Sequence, residues 1–96
     1  LKLPNTLDNV VVVPNPFIPA QSVSRQVTFL NLTVNATIEI YTLNGARVWS
    51  KTVENATGTA TWDGRNESGI EVASGLYIYV VRSDVDKFIG RLMVMR

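Results

Sequence analysis

The sequence predicts an all-β, Ig-like or fibronectin-like antiparallel sandwich of about seven strands, and three observations carry that expectation. Short runs rich in Val, Ile, Thr, Tyr and Trp recur with period-two alternation. Gly, Asn, Asp or Ser bounds most of these runs, with turn signals spaced about 8 to 12 residues apart. No window carries the apolar stripe of a helix. At 96 residues the chain has material for one domain with one core, and its 46% hydrophobic content supplies that core and argues against disorder.

Residues 10–13 form a β-branched run that stops at Pro14. Pro14, Pro16 and Pro19 have no N–H to give a ladder, so a first strand and then an extended linker are expected. Residues 1–9 read as a linker from an upstream domain, and the whole chain, 1–96, as a single Ig-like domain. Val27-Thr28-Phe29 and residues 36–40 alternate apolar with polar, the signature of half-buried strands. Further strands are predicted over Arg47–Val53 and over residues 57–62, 76–82 and 87–95. The last of these is apolar for a chain end; apolar ends are normally tied down, so a strand inside the sandwich is expected.

The turn at Leu43-Asn44-Gly45 decides which side chains of its hairpin face the core. A two-residue Asn44-Gly45 loop would pair Ile40 with Trp49 and Ile38 with Lys51, putting Lys51 and Arg47 on the face of Ile38 and Ile40. Unpaired cations are costly there. A three-residue loop with Gly45 left-handed pairs Ile40 with Val48, Ile38 with Ser50 and Ala36 with Thr52, and this is the expected register. It sends Glu39, Tyr41, Arg47 and Trp49 outward together, where Tyr41 and Trp49 offer a possible binding face for a sugar ring or a protein partner. The same rings would also serve to shield the hairpin or to pack on a parent domain.

Composition limits the chemistry. With no Cys there is no disulfide framework and no thiolate ligand or nucleophile; with no His as well, the usual Ser-His and Cys-His pairs cannot be assembled. An enzyme is not expected, and no cofactor is implied. A net charge of +1 and a pI near 8.3 give no field for nucleic acid. No apolar run approaches the roughly 20 residues of a membrane helix, so membrane insertion is not expected either.

Trp62 ends a predicted strand just before Asp63-Gly64-Arg65-Asn66-Glu67-Ser68-Gly69, a place where a large ring commonly closes one end of a sandwich core. The Asp63 carboxylate can accept N–H groups of the following turn, while Gly64 and Gly69 supply backbone angles that other residues avoid. Asp63, Asn66, Glu67 and Glu71 also offer calcium-type oxygen ligands, although their spacing departs from the DxDxDG loop. N-x-S/T triplets occur at Asn31, Asn35, Asn55 and Asn66, as they do by chance in an Asn- and Thr-rich β-protein.

An ordered set of motifs goes further: Pro14-Asn15-Pro16-Phe17, the turn glycine Gly45, Trp62-Asp63-Gly64-Arg65-Asn66, Gly75-x-Tyr77, and a final apolar strand between Lys87 and Arg96. Together they resemble the type A carboxy-terminal sorting domain of bacterial type IX, or Por, secretion cargo, from about Asn9 to Arg96. Two positions depart from that pattern: Thr42 and Leu43 stand where many members carry Asp, and Gly90 interrupts the final strand, as a bulge or a close backbone approach would require. The Ig-like domain of flagellar hook-capping proteins is similar in its hairpin glycine, here Gly45, and over Trp62 to Tyr77.

The resemblance implies a non-catalytic secretion signal that directs an upstream cargo domain of the same chain across the outer membrane of a Gram-negative-type bacterium. The product would be secreted or held at the cell surface, and the partners would be proteins, the type IX translocon and its processing machinery. Recognition would centre on the final strand, with Lys87, Arg91 and Arg96 supplying charge, Met93, Val94 and Met95 the apolar run, and an exposed strand edge available for pairing. On that view residues 93–96 could be replaced with much of the fold retained. An accessory binding or spacer module of an extracellular hydrolase, adhesin or hook-capping-type protein is the other reading.

Overall fold

In the computed structural model, alternation of apolar and polar side chains becomes seven strands, β1 (Val11–Val13), β2 (Val27–Leu30), β3 (Ala36–Tyr41), β4 (Arg47–Val53), β5 (Ala60–Trp62), β6 (Gly75–Arg82) and β7 (Lys87–Val94). The structure describes residues 7, 9–20, 25–33, 35–53, 58–84 and 86–96, and among these there is no helix. The strands form two antiparallel sheets, one of three in the order β1-β2-β5 and one of four in the order β4-β3-β6-β7. Three strands against four in this order is a fibronectin-like sandwich. The predicted starts at residues 10 and 76 and end at residue 95 each move by one; of the fifth strand predicted from residue 57, which lies outside the described residues, residues 58 and 59 are not strand and β5 begins at Ala60.

Period-two burial builds the core. β2, β3 and β5 bury alternate residues, bringing Val27, Phe29, Ala36, Ile38, Ile40, Ala60 and Trp62 between the sheets. β6 and β7, in the same sheet as β3, add Tyr77, Tyr79, Val81, Leu92 and Val94, facing β2 and β5. Each fully buried large side chain contributes on the order of 1.5–3 kcal/mol by removal from water. Leu7, within the stretch read as a linker, is only 1% exposed, and its N–H donates to Asp86 Oδ2 at 2.9 Å. Of the rest of that stretch only Asn9 is described; its carbonyl accepts from Asn31 Nδ2 at 2.8 Å.

The β3–β4 hairpin departs from the expected register although its turn is as expected. Gly45 is left-handed at φ 88°, and Thr42 and Ala46 close a three-residue loop through a 2.9 Å backbone bond. Tyr41 accordingly faces Arg47, but the ladder then slips, and Ile40 lies opposite Trp49, Ile38 opposite Lys51 and Ala36 opposite Val53. Val48 is the extra residue of a β-bulge, and Val48 and Trp49 both pack against the core. The expectation that Trp49 points outward beside Tyr41 is therefore corrected: its ring lies 6.0 Å from that of Trp62. The bulge is favoured because it half-buries a second indole against the core and buries Val53, which is 2% exposed. Lys51 escapes the cost of burial because β4 is an edge strand, where the side chain stays exposed at the rim.

Gly90 marks a close approach. β6 and β7 pair without a break from Gly75–Val94 to Arg82–Lys87, so no bulge is present. A Cβ on Gly90 would instead lie 2.3 Å from the ring and hydroxyl of Tyr79.

Candidate functional site

The motif residues singled out in the sequence meet at one corner of the sandwich, and the corner is built outward from Trp62. The indole is 1% exposed, lies against Trp49 and Tyr77, and donates its Nε1–H to the Arg65 carbonyl at 2.9 Å. That bond makes the chain turn back immediately after β5. Asp63 Oδ1 accepts the Arg65 N–H at 3.1 Å, the expected Asx turn, and Asn66 Oδ1 accepts from both Ser68 and Ile70. Tyr77, near the start of β6, donates its hydroxyl to the Ala73 carbonyl four residues upstream at 2.7 Å. This is the tyrosine corner of Ig-like sandwiches, and it supplies a physical reason for the Gly75-x-Tyr77 element.

Gly64 lies at the centre. It is buried and left-handed at φ 79°, and a Cβ there would sit 3.0 Å from the Phe17 ring and 3.1 Å from an Arg96 guanidinium nitrogen. Its carbonyl accepts from the Val72 N–H at 3.0 Å and from Arg96 Nη2 at 2.8 Å. The same guanidinium donates to the Val72 carbonyl through Nε and pairs with Glu71 at 3.0 Å, while the Arg96 N–H donates to Ser74 Oγ at 2.8 Å. Arg96 is thus the latch of the Trp62–Tyr77 loop. Burial pushes the Tyr77 phenol up, and the nearby Arg96 charge pulls it part of the way back.

Replacing Arg96 by Ala is expected to cost about 1–2 kcal/mol, because two loop carbonyls lose a charged donor at a partly exposed site. Lys should recover less than half of it, since one ammonium cannot reproduce the guanidinium fork. Urea unfolding of the three proteins measures this; equal stability of all three would show that the latch contributes nothing.

The Pro14-Asn15-Pro16-Phe17 segment carries the chain from the edge of one sheet to the edge of the other. β1 borders β2, whereas Phe17 bridges Val94 in parallel, its N–H donating to Met93 O at 2.7 Å and its carbonyl accepting from the Met95 N–H at 2.9 Å. Asn15 extends the contact with its side chain: Nδ2 donates to Arg91 O at 2.9 Å and Oδ1 accepts the Met93 N–H at 3.2 Å. A side-chain amide thereby performs the pairing that Pro14 and Pro16, lacking N–H groups, cannot. That role was not legible in the sequence; an Asn between two prolines facing an apolar strand was the one available signal.

Two expectations about the final strand are corrected. Its outer edge is not open from Arg91 to Met95, because Asn15 and Phe17 occupy it. Nor are residues 93–96 separable from the fold: Val94 is 0% exposed and Arg96 holds the loop. Met93 and Met95 are exposed, as are Lys87 and Arg91.

The candidate calcium ligands are directed to separate protein partners. Asp63 and Asn66 serve the turn, Glu67 Oε1 accepts from the Ser50 N–H and hydroxyl along the β4 edge, and Glu71 pairs with Arg96. Among the described residues no three His, Cys, Asp or Glu converge on a metal position. Of the four N-x-S/T triplets, Asn55 lies outside the described residues.

On the outer face of the four-stranded sheet, Glu39 pairs with Arg82 at 2.8 Å and with Arg47 at 3.8 Å. Burial works against its ionisation, but hydrogen bonds from Arg82 and Tyr41 and the charges of Arg82 and Arg47 outweigh it and hold the carboxyl below its ordinary 4.5. Asp86 is held below 3.8 by the backbone N–H groups of Leu7 and Lys87. Carboxylates with depressed folded values add stability that is complete above their unfolded values and is lost as pH falls through the folded ones. The urea midpoint should therefore be flat between about pH 5 and 9 and fall below about pH 4. Glu39→Gln and Asp86→Asn should each flatten that fall; an unchanged acid limb in both would remove them as its cause.

The corner defines a class of domain, a fibronectin-like sandwich whose early proline segment, central loop and Arg96 close on one glycine. No family model and no curated protein matches the chain. Solved structures do. Over 94% of its length the chain matches part of PorZ of Porphyromonas gingivalis, an essential bacterial surface component of the type IX secretion system, with TM-score 0.78 and 28% identity. It matches part of dimeric latent PorU from the same organism over 90% of its length, with TM-score 0.63 and 24% identity. These matches occupy 12% of the PorZ chain and 9% of the PorU chain, so the chain spans about a tenth of their length.

Proposed function

We propose that this chain is a non-catalytic carboxy-terminal sorting domain, of type A, that directs a larger cargo protein across the outer membrane by the type IX system to the cell surface or beyond. The observation that carries the reading is the likeness to a PorZ segment over 94% of the chain at 28% identity. The joining of the Pro14–Phe17, Trp62–Tyr77 and Arg96 motifs into one corner supports it, because segments far apart in sequence then act as one folded signal. The domain's partners are the translocon and its processing machinery, and the reading as a non-enzyme rests on the lack of His and Cys. The relation to hook-capping domains rests on the hairpin glycine Gly45 and the Trp62–Tyr77 element.

Residues 1–96 placed behind a signal peptide and a fluorescent reporter are expected to carry the reporter outside a bacterium with a working type IX system, and to fail in a strain lacking the translocon. Retention of a well-folded fusion in the periplasm would end this reading and favour the accessory or spacer module.

A further inference from the structure

The two halves of the four-stranded sheet's outer face have different chemistry. On β3 and β4 the face is polar: Thr37 meets Thr52 through their hydroxyls at 3.4 Å, and Glu39 lies opposite Ser50. An antiparallel sheet with one wet face should continue that way. On β6 and β7 it does not. Leu76 lies opposite Met93 and Val80 opposite Ile89, with Ile78 beside them. Ile89 is 58% and Met93 36% exposed. Val80 is 7% exposed although it stands on this outer side, opposite Glu39, and is no part of the core between the sheets.

Charge is one-sided on the same surface. Lys87 lies opposite Arg82 and Arg91 opposite Ile78, so neither has a carboxylate facing it across the ladder. Glu39, which Arg82 and Arg47 neutralise, shares the Arg82 end of the face with Asp84, and Glu67 reaches the Ser50 hydroxyl at the β4 edge; none of the three lies opposite Lys87 or Arg91 across the ladder.

We infer that the β6–β7 half of the outer face is a docking surface for an acidic protein partner with an apolar centre. The inference rests on the export reading and adds to it: the partner belongs to the machinery that receives the folded domain, and it reads the sheet face, not the strand edge that Asn15 and Phe17 cover. A second copy is disfavoured because it would set these cations against each other. A lipid surface is disfavoured because interfacial binding relies on aromatic anchors, and both Trp side chains are turned inward here.

The test uses the reporter fusion with three variants: Arg91→Glu, Ile89→Ser and, as a control of equal charge change on the other sheet edge, Lys51→Glu. Urea unfolding establishes that each is folded. Arg91→Glu and Ile89→Ser are each expected to lower export by about tenfold or more, and Lys51→Glu to leave it within about twofold. Export of the unsubstituted fusion together with full export of both face variants overturns the docking surface alone; failure of the unsubstituted fusion overturns the export reading itself. With the isolated domain, sedimentation is expected to show a monomer that does not bind phosphatidylglycerol vesicles. A dimer broken by Ile89→Ser, or vesicle binding lost in Arg91→Glu, would replace the acidic protein with a second copy or a lipid surface.

Discussion

Trp62→Ala is expected to lower the unfolding free energy by about 3–5 kcal/mol, the largest single effect in this domain. The indole is 1% exposed and lies between Trp49 and Tyr77, so its removal leaves a cavity that two flanking rings cannot close without moving. It also removes the donor to the Arg65 carbonyl, freeing the loop that Gly64 and Arg96 close upon. A small domain has about 5–15 kcal/mol in all, so the variant should be partly unfolded at 37 °C. Trp62→Phe separates the two contributions: it keeps most of the packing and loses the N–H, and should cost about 1–3 kcal/mol. Chemical denaturation measures both, and a Trp62→Ala cost below about 1 kcal/mol would mean that the corner is not anchored by this ring.

Gly90→Ala follows, at about 3 kcal/mol. In an ordinary strand the change would help slightly, because Ala loses less backbone entropy than Gly. Here the new methyl would lie 2.3 Å from the Tyr79 ring. The ring cannot yield freely, since it is stacked on Phe88 at 6.1 Å and meets Phe29 edge-on at 5.5 Å. The cost should therefore depend on Tyr79. In a Tyr79→Leu background Gly90→Ala should be close to neutral, giving a coupling energy of about 2–3 kcal/mol in a double-mutant cycle. Additive effects would show that the strain lies elsewhere.

The hairpin at Gly45 shows how far local pattern carries. Loop length and the left-handed glycine follow from Leu43-Asn44-Gly45 itself, because they depend on backbone preferences within a few residues. The register one step beyond does not. Period-two sorting of β4 favours the register without a slip, and only contact with Trp62 in the opposite sheet selects the bulge that brings Val48 and Trp49 inward. The possible binding face of Tyr41 and Trp49 was divided by that bulge, and Tyr41 remains with Glu39 and the two arginines.

The final strand gives the same lesson for the site. Its apolar alternation was enough to predict a strand inside the sandwich, and Val94 and Leu92 are indeed buried. That its outer edge is closed depends on Asn15, a residue 78 positions from Met93, whose side chain takes the place of a backbone. No local pattern encodes that contact.

Sequence alone determined the all-β class, the approximate strands, the turn glycines and the Asx turn at Asp63, since each rests on alternation or on backbone preference within a short window. It also set the chemistry that is missing, because composition needs no fold. Tertiary structure decided the bulge in β4, the seating of Tyr79 over Gly90, the convergence of Phe17, Gly64 and Arg96, and the apolar, basic half of one sheet face. Those features depend on which distant surfaces meet, and packing between two sheets, not propensity along one strand, selects among registers of similar local energy.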